Sequence, residues 1–293
     1  MPDDIIDAEG ITVRFGDFTA VDGIGVHVKE GEIYGFLGPN GAGKTTAVKV
    51  LTTMMKPTEG KIRIGGYDTA VDADSARRLI GVVQQHIALD KDISVRENII
   101  SRAVLHKIPK KEIEPRMEEL CGTIGLLPYL DKTPMELSGG WKRKTAIVCA
   151  LMHGPKILFL DEPTAGLDTQ SRHMLWDMIR IMNRNGTTVF LTTHYMDEAE
   201  ALCDRVSIIG HGKIKDGGTP RELCCRLGKY TVEYDSDDGR RRYGFFDTRE
   251  EAKAFFDTVE DRNGVIRGTH LEDVFLEETG RTDVKALEKA LRI

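Results

Sequence analysis

The stretch IYGFLGPNGAGKTTAVKVL, residues 33–51, decides how this chain is read, because an apolar run passes through a glycine-rich loop straight into a segment of helical character. Within it GPNGAGKT matches the pattern Gly, four residues, Gly-Lys-Thr, placed after a predicted strand and opening a predicted helix, which is the context of a phosphate-binding P-loop. Glycines let backbone N–H groups wrap phosphates, Lys44 reaches β and γ oxygens, and the Thr45 hydroxyl can ligate Mg²⁺. A tight glycine turn that binds nothing is the alternative, and it leaves Lys44 and Thr45 in register for no reason.

Working outward, residues 5–35 hold short alternating segments (ITVRF, GVHVKEG, IYGFLG) cut by glycine and Asp-Gly turns, which predict an antiparallel β portion leading into a core strand. A helix is expected from Gly43 to Met55, stopped by Lys56-Pro57, and KIRIGG and LIGVV predict two further strands. From about residue 93 to 152 apolar residues recur at helical spacing, which predicts a helical insert. Strand and helix then alternate through KILFLDEP, a helix over 171–184, TTVFLTTH, a short helix in MDEAEALC, and RVSIIG. The expected fold class is α/β: a P-loop NTPase (RecA-like) core with an antiparallel β subdomain and a helical insert. After Leu227 the chain changes character, with a hairpin turning at Asp238-Gly239 and a helix presenting Ala252, Phe255, Phe256 and Val259, so residues 1–227 form the main domain and 228–293 a small α+β domain.

Composition limits the function classes. The 293 residues are 40% hydrophobic and 30% charged with a formal net charge of -6, which disfavours bulk nucleic-acid binding and disorder. The longest apolar run, Ala146 to Met152, is far below the about 18 residues of a membrane span, and the opening MPDDII is acidic where a signal peptide would be basic, so a cytoplasmic chain is expected. Cys121, Cys149, Cys203, Cys224 and Cys225 have neither zinc-site spacing nor disulfide density, which makes them buried or inert thiols. The run Arg240 to Arg242 reads as a solvated charged face beside a turn.

Further motifs carry chemistry. ILFLDEPTAGLD, residues 157–168, sets two carboxylates at a strand's C-terminal end: Asp161 suits a Mg²⁺ shell, and Glu162, pointing beyond it, suits a general base for water. An acidic strand-end turn is the plain alternative. His194 ends another core strand and could approach the same phosphate edge, although structural histidines are commoner. Gln85, after LIGVVQ, could bridge Mg²⁺ and water or simply be a solvated loop residue. Phe15 offers a face that could stack on a purine, against core packing as the stronger alternative. Finally ELSGGW, residues 136–141, opens a second helix whose bare N–H groups would attract an anion. Trp141 at its head is either a surface anchor for a partner or packed between helices.

Taken in order, Phe15, GPNGAGKTT, Gln85, LSGGW, ILFLDEP, GLD and His194 resemble the nucleotide-binding subunit of ATP-binding cassette (ABC) transporters over residues 5 to about 227, and the tail resembles the drug-resistance and ABC-2 type exporter ATPases. The resemblance implies ATP and Mg²⁺ as cofactors. Nucleotide would be bound by Phe15, Gly38, Pro39, Asn40, Gly41, Ala42, Gly43, Lys44, Thr45 and Thr46, with Ser138, Gly139, Gly140 and Asp168 as further nucleotide contacts. Thr45, Gln85 and Asp161 would hold the metal, and Glu162, His194 and Gln85 would be catalytic. It also implies a head-to-tail dimer, homomeric or with a paired ATPase subunit, in which LSGG serves the neighbour's γ-phosphate. Three departures stand out: Trp141 where Gln is usual, Gln84 where Pro is usual, which loosens that turn, and Phe15 where Tyr is commoner.

The function this implies is an ATPase that drives a membrane exporter through separate transmembrane permease subunits, peripheral on the inner face of the membrane, with the insert after Gln85 as the docking part. A soluble ABC-type ATPase in cofactor assembly is the competing reading. A small-molecule kinase gives LSGG no role and ranks last.

Overall fold

The computed structural model describes residues 4–236, 241–259 and 264–279. Strands β1 (Ile6–Phe15) and β2 (Phe18–Val28) alternate apolar and polar side chains and pair antiparallel around a two-residue turn, Gly16-Asp17, whose glycine takes φ 58°. Next comes β3 (Ile33–Leu37), with every residue buried, as the uninterrupted apolar run demands of a strand covered on both faces. It delivers the chain through the glycine loop to α1 (Lys44–Leu51). That helix ends before the expected Met55, because Thr52 turns its hydroxyl back onto the Val48 carbonyl and Thr53 adopts φ 61°, which stops the helical ladder ahead of Lys56-Pro57.

Strands β4 (Glu59–Ile64) and β5 (Tyr67–Asp68) complete a four-stranded sheet in the order β2-β1-β4-β5. The short α2 (Ala73–Arg78) then leads to β6 (Ile80–Val83). The insert holds α3 (Val95–Leu105), α4 (Lys110–Ile124) and α5 (Gly139–Leu151). Alternation resumes with β7 (Ile157–Asp161), α6 (Thr169–Arg184), β8 (Thr188–Thr193), α7 (Met196–Leu202) and β9 (Arg205–Gly210), and β10 (Lys213–Gly218) closes the edge. The core sheet runs β10-β9-β3-β8-β7-β6, parallel except for β10. A helix the sequence reading did not isolate, α8 (Pro220–Leu227), precedes β11 (Tyr230–Asp235), β12 (Arg241–Phe246), α9 (Arg249–Phe256), β13 (Val265–Gly268) and α10 (Leu271–Thr279). The last three strands form their own antiparallel sheet, β12-β11-β13, and α10 packs back on α7 and α8. The turn expected at Asp238-Gly239 lies outside the described residues.

Three apolar clusters explain the layering. The antiparallel sheet and α1 bury Ile6, Val21, Ile64 and Val48 on one face of the core sheet, against Phe36, Phe159 and Phe190. On the other face, Leu37, Leu158 and Leu191 meet α5, α6 and α7. The insert has a separate cluster of Val95, Ile99, Met117, Val148 and Met152. Helix α5 belongs to both of the last two, with Ile147 and Leu151 in the cluster on the sheet and Val148 and Cys149 in that of the insert, so it anchors one to the other.

Phe190 is the centre of the first cluster, with its ring 5.2 Å from Phe159, 5.7 Å from Tyr34 and 5.8 Å from Phe36. Phe190→Ala should lower unfolding free energy by about 3–5 kcal/mol, read from the urea midpoint. Phe18→Ala, at an exposed turn, should stay within about 0.5 kcal/mol of wild type.

Candidate nucleotide site

Register builds the site. Leu37 on β3 pairs with Thr193 on β8, and Asp161 on β7 pairs with Thr192. Gly38, Glu162 and His194 therefore each stand one residue past a registered pair, and three neighbouring strands deliver them to one edge of the sheet, where ligands of open α/β folds bind.

The loop geometry requires glycine at two points. A Cβ on Gly38 would lie 2.5 Å from the Ile209 carbonyl oxygen, and one on Gly43, at φ 105°, would lie 2.5 Å from that of Ala20. Gly43 is also the N-cap of α1, where no side chain occupies the first-turn N–H groups. Pro39, Asn40 and Gly41 are exposed, Ala42 is buried, and Thr45 and Thr46 lie at the solvent side of α1. The Lys44 ammonium is buried: it donates to the carbonyls of Gly38 at 2.6 Å and Pro39 at 3.2 Å, and lies 3.2 Å from Glu162 Oε1.

Glu162 takes φ 47°, an unusual conformation for a side chain of its size. Its N–H donates to both the carbonyl and the hydroxyl of Thr192, at 3.1 and 3.0 Å, which holds the backbone there. Its carboxylate then receives Gln85 Nε2 on Oε2 at 3.2 Å and stands 3.3 Å from His194 Nδ1, an electrostatic approach not aligned for a hydrogen bond. Lys44, Gln85 and His194 thus converge on one carboxylate. Asp161 sits beside them, accepting from Thr192 Oγ1 at 2.6 Å and from Thr45 Oγ1 at 3.4 Å. A cavity of about 210 Å³ is lined by Thr45, Gln85 and Asp161 together. One carboxylate, one hydroxyl and one amide oxygen are a donor set that suits Mg²⁺, which takes few protein ligands and completes its shell with phosphate and water. The glycine cradle and uncapped helix start suit a phosphate chain, so the residues present fit both groups.

Other expected residues lie apart from this centre. Phe15 ends β1 at the hairpin and is 51% exposed, so its ring face is free of the core. Ser138 and Gly139 are exposed at the start of α5, and Ser138 makes no side-chain cap to its own helix. Gly140 is half-buried, with room for a Cβ limited by Ser171 Oγ at 3.0 Å. Asp168 caps α6, accepting from Ser171 N at 2.9 Å and Ser171 Oγ at 2.7 Å; these bonds hold its carboxyl below the usual range. Trp141 packs internally, its ring 4.2 Å from Tyr129 and under the Lys144 ammonium at 4.4 Å.

Two contributors went unread in the sequence. Thr192, inside an apolar strand, binds both Asp161 and Glu162; a threonine opposite an acidic strand end was the available signal. Arg143, buried in α5, donates to the carbonyls of Gln84 at 2.7 Å and Gln85 at 3.0 Å, so the turn expected to be loose at Gln84 is held. Burial pushes the Cys149 thiol up to about 12 and Cys121 up to about 11, in keeping with inert thiols, whereas Cys225 is exposed.

Residues 21–165 match the family model described as ABC transporter. The chain is 40% identical over 228 residues to the daunorubicin resistance ATP-binding protein DrrA3 of Streptomyces coeruleorubidus, covering 78% of this chain and 72% of the relative. It is 38% identical over 295 residues to the Nod factor export ATP-binding protein I of Burkholderia thailandensis, covering 94% and 97%. Among solved structures, cbiO1 of Clostridium perfringens, part of an ABC transporter complex, aligns at a TM-score of 0.70 and 31% identity over 75% of this chain and 90% of that one. The MJ0796 cassette, a dimer bound to ADP and Pi, aligns at 0.66 and 25% identity over 73% and 98%. The chain belongs to the ABC transporter family and is one of its ATP-binding cassette ATPases.

Lys44→Ala removes a charge-assisted donor and should weaken ATP binding about 10- to 100-fold and abolish turnover, measured by fluorescent-nucleotide titration and phosphate release. Glu162→Gln keeps the shape of the side chain and should retain nucleotide affinity while losing about 10²- to 10⁴-fold in turnover.

Proposed function

We propose that this ATPase powers a membrane exporter, working as a head-to-tail dimer in which each nucleotide is held by the P-loop of one protomer and the Ser138-Gly139-Gly140 helix start of the other. The observation that carries the reading is the separation of two anion-binding helix starts within one chain. One closes a buried cluster around Glu162, and the other stands exposed on α5 with no side-chain cap of its own. A phosphate-binding start directed to solvent has a use when a second copy brings its nucleotide there.

In each site Phe15 stacks the base, while Lys44 Nζ and the N–H groups of residues 40–46 hold the phosphates. Thr45, Asp161 and Gln85 hold Mg²⁺, which when bound supplies neutralisation of charge developing on phosphate oxygens. Glu162 Oε2 accepts a proton from the attacking water, and Gln85 and His194 hold that carboxylate in place. Asp168 orders the loop after Glu162 by capping α6 next to the Ser138 helix start.

No helix among the described residues is long and apolar enough to cross a membrane. In this reading coupling to transport runs through separate permease subunits that hold the chain at the cytoplasmic face. A groove of about 590 Å³ between core and insert fits a permease segment. It is lined by Arg77, Arg102, His86, His106 and His153 with no carboxylate, which favours an acidic segment. His106 and His153 stack at 3.9 Å, and burial draws His153 down to about 4 and lowers His106. Arg77 is already paired with Asp74 at 2.9 Å, whereas Arg102 donates, among the described residues, only to the Ala88 carbonyl and is the arginine that an acidic segment would meet. We assign residues 1–227 to the cassette and 228–293 to an accessory domain. The relatives named for daunorubicin resistance and Nod factor export support export as the direction.

The test combines two broken halves. In a Glu162→Gln background, Lys44→Ala and Ser138→Arg proteins should each fail to form a stable ATP-dependent dimer. Mixed, they should recover a heterodimer carrying one occluded nucleotide, followed with two affinity tags. No recovery, together with equal occlusion from tandem fusions bearing the mutations in the same half or in separate halves, rejects the shared site. Co-purification with a multi-spanning membrane protein, lost on Arg102→Glu, supports the exporter assignment; a solely soluble partner supports cofactor assembly instead.

A further inference from the structure

The geometry points to Arg143 as a positioning residue for ATP hydrolysis, which sets the Gln85 amide on Glu162 from the helix that begins with Ser138; this rests on the hydrolytic reading of Gln85 and Glu162. Arg143 lies one turn into α5 and is 3% exposed. Its Nη1 donates to the Gln84 carbonyl at 2.7 Å and its Nη2 to the Gln85 carbonyl at 3.0 Å, just beyond the end of β6 at Val83.

Successive carbonyls of an extended strand point to opposite sides, so two in a row can face one guanidinium only if the chain bends there. The planar fork of arginine suits that bend: its two terminal nitrogens meet two fixed acceptors at once, which a lysine ammonium would do without the same directionality. Among the described residues no carboxylate forms an ion pair with Arg143, and its Nε is buried without a partner. The two carbonyls are therefore its only hydrogen-bond acceptors among the described residues, with Asp161 and Glu198 adding attraction from farther off, and moving the guanidinium off the carbonyls would leave its N–H groups buried and unsatisfied. With the backbone at 84 and 85 fixed, the Gln85 amide reaches Glu162 Oε2 at 3.2 Å.

The consequence is a short physical link between two sites. One end of α5 offers Ser138 and Gly139 to solvent, and one turn on the same helix grips the segment that touches the chain's own Glu162. A displacement of α5 on closure against a second copy would be passed to the Gln85 amide through these two hydrogen bonds.

The experiment compares Arg143→Ala, Arg143→Lys, Gln85→Ala and the double variant Arg143→Ala/Gln85→Ala, recording kcat, KM, fluorescent-nucleotide Kd and melting temperature for each. Arg143→Ala should lower kcat about tenfold or more, within the range a misplaced catalytic contact produces, while nucleotide Kd stays within about twofold. Arg143→Lys should recover part of the rate, and the double variant should be no slower than the slower single one, because both remove the same contact. The proposal is overturned by wild-type kcat in Arg143→Ala, or by a double variant whose loss is the product of the single losses. A parallel loss of Kd, kcat and melting temperature in both Arg143 variants overturns it too, since that is the mark of a merely structural staple. If Arg143→Ala does not fold, Arg143→Lys decides by the same criteria, with a drop in kcat at unchanged Kd as the supporting result. Gln85→Ala at the wild-type rate would instead remove the hydrolytic reading of Gln85 on which this inference stands.

Discussion

The hydroxyl of Thr192 is the contact on which the arrangement of the site depends. It donates to Asp161 and accepts from the backbone N–H of Glu162, so one oxygen on the middle strand fixes two consecutive acids on its neighbour. Asp161 is thereby turned toward Thr45. Glu162 is swung the other way, toward Lys44, Gln85 and His194. A valine there would have nearly the same volume and no way to do either.

What makes this contact available is strand order. The strand carrying the phosphate loop and the strand carrying the acids are not neighbours; β8 lies between them and pairs with both. Its buried threonines therefore face the ends of two functional strands at once. The apolar clusters on either face of the sheet keep that order rigid, with Phe190 on one side and Leu191 on the other. Helix α5, shared by the second and third clusters, is the element through which the insert packs on the sheet.

Much of this was legible in the sequence because it is written in short-range patterns. The P-loop needs glycines at fixed offsets, and buried parallel strands need unbroken apolar runs, so GPNGAGKT and ILFLDE identify both without any partner. Phe15 was less legible: core packing is the stronger expectation for a lone phenylalanine, and only its place at the end of β1, beside the Gly16-Asp17 turn, leaves it 51% exposed. What escaped was non-local. Arg143 reads as one more charge in WKRK until α5 is laid across the end of β6, and Trp141 could not be placed until Tyr129 was folded against it. The end of α1 depends on one hydroxyl choosing a backbone carbonyl, which no periodicity reports. The small C-terminal sheet was visible as a hairpin, but its third strand, β13, pairs with β11 across a long connection, where Arg267 meets Glu233 at 3.2 Å, 34 residues earlier in the chain.

The left-handed backbone of Glu162 has a consequence for how such a chain can evolve. Holding a glutamate at φ 47° costs on the order of 1–3 kcal/mol, and a glycine would adopt the same conformation without that penalty. Backbone strain and ion pairing therefore pull in opposite directions at this single codon. Exchange of the glutamate for glycine would relieve the strain but leave the buried Lys44 ammonium, now 3.2 Å from Glu162 Oε1, with only the carbonyls of Gly38 and Pro39, so a chain that changes one of these two residues is pressed to change the other.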